Sequence, residues 1–183
     1  PAAPRLPIET PELEGSISLI GGRIDDLSLR SYSETLADDS PIVRLLSPVG
    51  SEEPYYALYG WAPGGDLGFE DVPGANTEWS VESGETLTPE TPVTLIWENG
   101  NGLVFRRTIA IDENFMFSVT QSVENIGAGA ARLAPYGIVA RHGLPDDLRQ
   151  IVVKGMAETA KWHTAQIRQE DDSIVIPDLK KKG

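Results

Sequence analysis

Residues 92–125, PVTLIWENGNGLVFRRTIAIDENFMFSVTQSVEN, alternate side chains with a period of two, the pattern by which an extended strand gathers one buried face. Val93, Leu95 and Trp97 alternate with Thr94, Ile96 and Glu98. Asn99-Gly100-Asn101-Gly102 follows, and Asn and Gly are the residues that tolerate the positive φ of a tight hairpin. Leu103, Phe105 and Arg107 then alternate with Val104, Arg106 and Thr108. After a turn at Asp112-Glu113-Asn114, the residues Phe115, Phe117, Val119, Gln121 and Val123 share one face. Three consecutive antiparallel strands are therefore predicted, and a helical packing is excluded for this stretch.

Shorter strands are predicted on either side of it. Ser16–Leu19 and Ile24–Leu29 flank a Gly21-Gly22 turn, and Ile42–Leu46 lies between Pro41 and Pro48. Tyr55, Ala57, Tyr59 and Trp61 fall on one side of a strand, and a Gly/Asp/Pro-rich loop covers 63–74. Glu78–Val81 and Arg132–Ala140 complete the series, with Pro135 pointing to an edge strand or a bulge. Turn-formers spread along the chain (18 Gly, 14 Pro) suit an all-β domain with a minor helix. That helix is predicted over 155–170, where Met156, Ala160, His163 and Ile167 recur near helical spacing, with a last strand at 174–176. Residues 1–14, with Pro1, Pro4, Pro7 and Pro11, read as a Pro-rich linker, and residues 15–183 as one domain.

The net charge of −13 disfavours nucleic acid and anionic lipid as partners, and it keeps a domain soluble. No run of eighteen apolar residues is present, and the opening PAAPRLP lacks the apolar core of a secretory leader. With no cysteine, the chain has no disulfide, thiolate nucleophile or Cys-ligated zinc.

No catalytic constellation emerges. His142 beside Arg141 at a strand end could hold an anion or move a proton, or simply bond its own loop. His163 stands alone, and two histidines so far apart do not supply a metal's three or four ligands. The doublets Asp25-Asp26, Glu52-Glu53 and Asp146-Asp147 are adjacent pairs, which a regular strand sends to opposite faces. No phosphate loop, EF-hand or nucleophile elbow is present, so no cofactor and no metal are expected. Most aromatic residues are expected to fill the core. Trp61 and Tyr136, near strand ends, are the expected exceptions and, with Arg141 and His142, form a candidate groove or partner contact.

Several segments, in order, resemble one family. TLIWENGNGLVFRRTI at 94–109, FMFSVTQSVEN at 115–125 and LAPYGIVARHG at 133–143 are similar to the large periplasmic domain of the bacterial membrane protein insertase YidC. ETPELEGSISLIGGRIDDLSLRSYSET at 9–35, SPIVRLLSPVG at 40–50 and PYYALYGWA at 54–62 also resemble it, whereas the chain departs from the pattern after Leu144. The resemblance implies a twisted antiparallel β-super-sandwich, galactose-mutarotase-like in form. It implies a non-catalytic domain at the periplasmic face of the inner membrane, tethered through residues 1–14 to an anchor outside this chain. It also implies contact with the Sec translocon, notably SecD/SecF-type subunits. The alternative is a periplasmic module that binds carbohydrate or extended peptide in a groove. A sugar enzyme of the mutarotase type is suggested by fold shape alone, which does not give function.

Overall fold

A computed structural model describes residues 3–113, 115–143, 168–170 and 173–175. Its strands are β1 (Arg5–Glu9), β2 (Leu13–Ser18), β3 (Arg23–Ser33), β4 (Ile42–Leu46), β5 (Tyr55–Gly64) and β6 (Ser80–Ser83). They continue with β7 (Val93–Glu98), β8 (Leu103–Ile111), β9 (Phe117–Asn125), β10 (Arg132–Arg141), β11 (Arg168–Glu170) and β12 (Ser173–Val175). One short 3-10 turn, Phe69–Asp71, lies in the loop after β5. One sheet has the order β1-β2-β3-β5-β10 with β4 also on β3, a second has β6-β7-β8-β9, and β11 pairs with β12. Every strand pair is antiparallel.

The first two sheets share one apolar core, which makes a sandwich. Leu6, Ile8, Leu13, Ile17, Ile24 and Trp61 face it from one side. Val93, Leu95, Leu103, Phe105, Ile109 and Ile111 face it from the other. Period two holds along β8: Leu103, Phe105, Arg107, Ile109 and Ile111 are all buried. The sheets are also joined through the backbone. Glu9 N donates to Leu87 O and Leu87 N to Pro7 O, each at 2.9 Å. Trp79 N donates to Leu19 O at 2.9 Å and Gly21 N to Thr77 O at 2.7 Å.

The first fourteen residues depart from the expected linker. Arg5–Glu9 is a strand in full register with β2, from Arg5↔Ser18 to Glu9↔Glu14, and Leu6 and Ile8 are buried. Pro7 does not obstruct this pairing. Its carbonyl points at Leu87, and its nitrogen, on the same side of the strand, is not one that β2 requires. Thr10 closes the hairpin, its Oγ1 accepting from Leu13 N at 2.8 Å and Glu12 N at 3.3 Å.

Two other expectations change. Phe115 does not extend β9. It sits in the preceding turn at φ 68° and is exposed, and the inward alternation begins at Phe117. The helix expected over 155–170 lies outside the described residues except for its last three, which form β11. By contrast, β10 stands at the end of its sheet order among the described residues, as Pro135 predicts.

Because β1 lines the core, Ile8→Ala should destabilise the domain by about 2–5 kcal/mol. Urea denaturation followed by circular dichroism checks this. An unchanged midpoint, for this variant or for a chain truncated through Glu9, would show that β1 does not contribute to the packed sheet.

Candidate functional site

Arg106 and Arg107 are neighbours on β8, so their side chains leave opposite faces of the sheet. Arg106 faces outward, its Nε 2.8 Å from Glu82 Oε1 and its Nη1 3.1 Å from Glu124 Oε2. Those two partners, Glu82 first, raise its pKa above the ordinary value. Arg107 faces the core and is fully buried.

Among the described residues no ion pair serves Arg107; neutral carbonyl oxygens take its charge instead. Nη1 donates to Gly21 O and Gly22 O, each at 3.0 Å. Nη2 donates to Tyr59 O at 2.6 Å and, at 3.5 Å, to Gln121 Oε1. The guanidinium carbon lies 4.5 Å from the ring centroid of Trp79, a cation–π contact in a dry setting. Burial pushes the guanidinium down to about 10, so it stays charged at neutral pH. A base whose folded pKa is depressed carries its burial cost at every pH below that value, and stability recovers only as pH rises through about 10. Gln121 on β9 extends the link, its Nε2 donating to Tyr136 O at 3.2 Å and Gly60 O at 3.5 Å. Two side chains of one sheet thus hold carbonyls of the β2–β3 turn, β5 and β10.

The turn is shaped for this. Gly22 has φ 59°, and a Cβ there would lie 2.4 Å from Arg107 Nη1. Sequence reasoning set Arg107 in line with Leu103 and Phe105 without singling it out. The alternation Leu103-Phe105-Arg107-Ile109 was the signal, because a lone cation on an apolar face must find acceptors or unfold the sheet.

The four candidate residues separate in space. Trp61 is buried in the core, 6.0 Å from Phe105 between ring centroids, so the expected surface role of this residue is corrected. Tyr136 is half-buried on the opposite face of the sheet from Trp61. Its ring lies over Gly60, where a Cβ would come within 2.4 Å of the phenol oxygen. Arg141 and His142 do come together, with the start of β5. Arg141 Nη2 is 3.5 Å from Glu53 Oε2, and its guanidinium lies 5.5 Å from the Tyr55 ring centroid. The His142 ring stacks on Tyr56 at 5.9 Å, with Nε2 3.4 Å from the phenol oxygen, and its backbone N donates to Pro54 O at 2.8 Å. Arg23 also lies against the Tyr56 ring, at 5.9 Å. Aromatic edges and cations thus flank the end of the sheet, Arg141 with Tyr55 on one face and His142 and Arg23 with Tyr56 on the other.

The doublet Asp25-Asp26 departs from opposite-face geometry. A β-bulge lies here, with Ser16 paired to Asp26 and Ile17 to Ile24. Both carboxylates therefore join one outward network: Arg5 pairs with Asp25, Arg5 Nε donates to Ser16 Oγ at 2.7 Å, and Ser16 Oγ donates to Asp26 Oδ2 at 2.8 Å. A groove of about 580 Å³ elsewhere is lined by Glu9, Glu12, Glu90, Asp112 and Glu113 with Arg30. Among the described residues no group of three or more His, Cys, Asp or Glu is placed to hold a metal. No helix among them is long and apolar enough to cross a membrane. His163 and Asp146-Asp147 lie outside the described residues.

Comparison with known proteins bears out the resemblance, and the match continues past Leu144. A family model described as the YidC periplasmic domain matches residues 5–173. The chain is 61% identical over 176 residues to the membrane protein insertase YidC of Dinoroseobacter shibae, covering 96% of this chain and 28% of that protein. The same-named protein of a Jannaschia species is 58% identical over 179 residues, 97% of this chain and 28% of the relative. That of Cereibacter sphaeroides is 60% identical over 185 residues, 100% and 30% respectively. The chain thus spans less than a third of the length of these relatives.

Removing the Arg107 side chain leaves a cavity and strands the carbonyls it serves. Arg107→Ala should cost about 3–5 kcal/mol. Arg107→Lys should restore only part of it, since an ammonium lacks the planar fork. Arg106→Ala, on the exposed face, should leave the midpoint nearly unchanged. Equal urea midpoints for the Arg106 and Arg107 variants would refute the inter-sheet role.

Proposed function

We infer the role of this chain from its family: it belongs to the YidC periplasmic domain family, which puts it on the periplasmic side of the inner membrane. The chain is a non-catalytic periplasmic part of a membrane protein insertase, one that helps insert and fold inner-membrane proteins together with the Sec translocon. The observation that carries this reading is the family match over 5–173, joined to identities near 60% with insertases. The geometry supports it. The buried Arg107 holds two sheets together, and His142 is occupied by Tyr56 and the backbone of Pro54. Insertion chemistry then belongs to other parts of the parent protein, and this domain supplies a rigid scaffold for partner contact. The galactose-mutarotase-like form of the sandwich belongs to the same proposal.

The partner surface we assign is the end of the sheet where Arg141 meets Tyr55 and His142 meets Tyr56, with Tyr136 farther along β10. Its partners are SecD/SecF-type subunits of the translocon. Photo-crosslinking from positions 136, 141 and 142 in the full-length parent, in membranes, tests this. Adducts with translocon subunits are expected, and none at all three positions would overturn the assignment.

A second reading, a module for extended peptide or glycan, draws on β9. This nine-residue strand ends its sheet order among the described residues, and its ladder with β8 runs without a bulge. Such an edge is able to take an added strand. Calorimetric titration with unfolded peptides and with glycans separates the two readings, since the insertase reading expects no heat from glycan. A galactose mutarotation rate above that of buffer would contradict the non-catalytic role.

A further inference from the structure

The hairpin turn between β7 and β8 contains two Asn–Gly pairs in succession, Asn99-Gly100 and Asn101-Gly102. Their chemistry is identical in sequence, but their surroundings differ. Asn99 is half-buried, and its carboxamide is fixed at both ends. Oδ1 accepts from Asn101 N at 2.8 Å and Leu103 N at 3.0 Å, and Nδ2 donates to Asp71 O at 3.1 Å. Asn101 is exposed, and its carboxamide has one long contact, Nδ2 to Asp71 Oδ1 at 3.4 Å. The amide of Gly102 donates no hydrogen bond among the described residues, so the nitrogen that follows Asn101 is open to react.

We propose that Asn101 is a site of spontaneous covalent modification, losing its side-chain amide to water, while Asn99 is protected by the fold. Hydroxide removes the Gly102 amide proton, and the nitrogen attacks Cγ of Asn101. The N–Cγ bond forms, the Cγ–Nδ2 bond breaks, and protonated nitrogen leaves as ammonia. One water then opens the resulting succinimide at either carbonyl, adding hydroxyl to carbon and returning hydrogen to the nitrogen released. The product is aspartate or isoaspartate, with no change of oxidation state. For Asn99 the same attack first requires its three hydrogen bonds to break.

The product has a structural consequence. A new carboxylate at position 101 faces the carboxylate of Asp71, whose Oδ2 accepts from Gly68 N at 2.9 Å and so ties down the loop after β5. Isoaspartate also adds a backbone carbon inside the turn that Asn99 N and Leu103 O close at 3.1 Å. The modification thus loosens the contact between the hairpin turn and the 68–71 loop.

The test is to age the full chain in heavy-oxygen water at mildly alkaline pH and map peptides by mass spectrometry. Heavy oxygen should enter position 101 at least about tenfold faster than position 99, given three hydrogen bonds against one. In urea the two rates should converge. Equal rates in the folded chain would overturn the proposal, as would an inert Asn101 alongside a reactive urea-unfolded control. Asn101→Ser should abolish incorporation at 101 and leave the slow rate at 99 unaltered; an unchanged signal in that peptide would also overturn it.

Discussion

The guanidinium of Arg107 is the interaction on which the arrangement of the two sheets depends. A charge buried without a counter-ion is costly, and it is tolerated only where fixed dipoles replace water. Here the dipoles are backbone carbonyls from the β2–β3 turn and β5, with Gln121 and the face of Trp79 completing the shell. Apolar packing alone is non-directional and tolerates sliding of one sheet over another. Hydrogen bonds from a planar fork are directional, so they fix where the Gly21-Gly22 turn and β5 sit over β8. Gly22 follows from the same constraint, because a side chain there would occupy the space of Nη1.

Around that link the polar groups divide by face. Inward, Gln121 repeats the motif on a neutral scale by serving the carbonyls of Gly60 and Tyr136. Outward, Arg5, Ser16, Asp25 and Asp26 form a network across β1, β2 and β3 that the bulge in β3 makes possible. The first ties β9 to the distant β5 and to β10, and the second ties three consecutive strands. The strand-end cluster of Arg141, His142, Tyr55 and Tyr56 lies at the rim of this braced structure.

Several elements were legible because they depend on local rules. The hairpin at 93–111 follows from alternation and from Asn-Gly turn chemistry, and its register Val93↔Ile109 to Glu98↔Val104 agrees. Ile42–Leu46 was bounded by its two prolines, and the edge position of β10 by Pro135. The first strand was not legible. Proline density there suggests a tether, yet Pro7 is compatible with pairing because its nitrogen faces away from β2. Phe115 matched the alternation but falls in the turn, where backbone geometry overrides periodicity. Trp61 lay near a strand end in sequence, yet the opposite sheet covers it through Phe105.

By itself, then, the sequence determined the strand class, the hairpin, the alternation along β8 and the family, all of which rest on period, turn residues and ordered similarity. Which strands become neighbours, whether a proline-rich start is buried, and what receives a charge placed on an apolar face were decided only in three dimensions. The physical reason is that period two specifies which face is buried but not what covers it. Arg107 carries both halves of that statement: its position in the alternation sends it inward, and only the carbonyls of Gly21, Gly22 and Tyr59, brought from far along the chain, allow it to stay there.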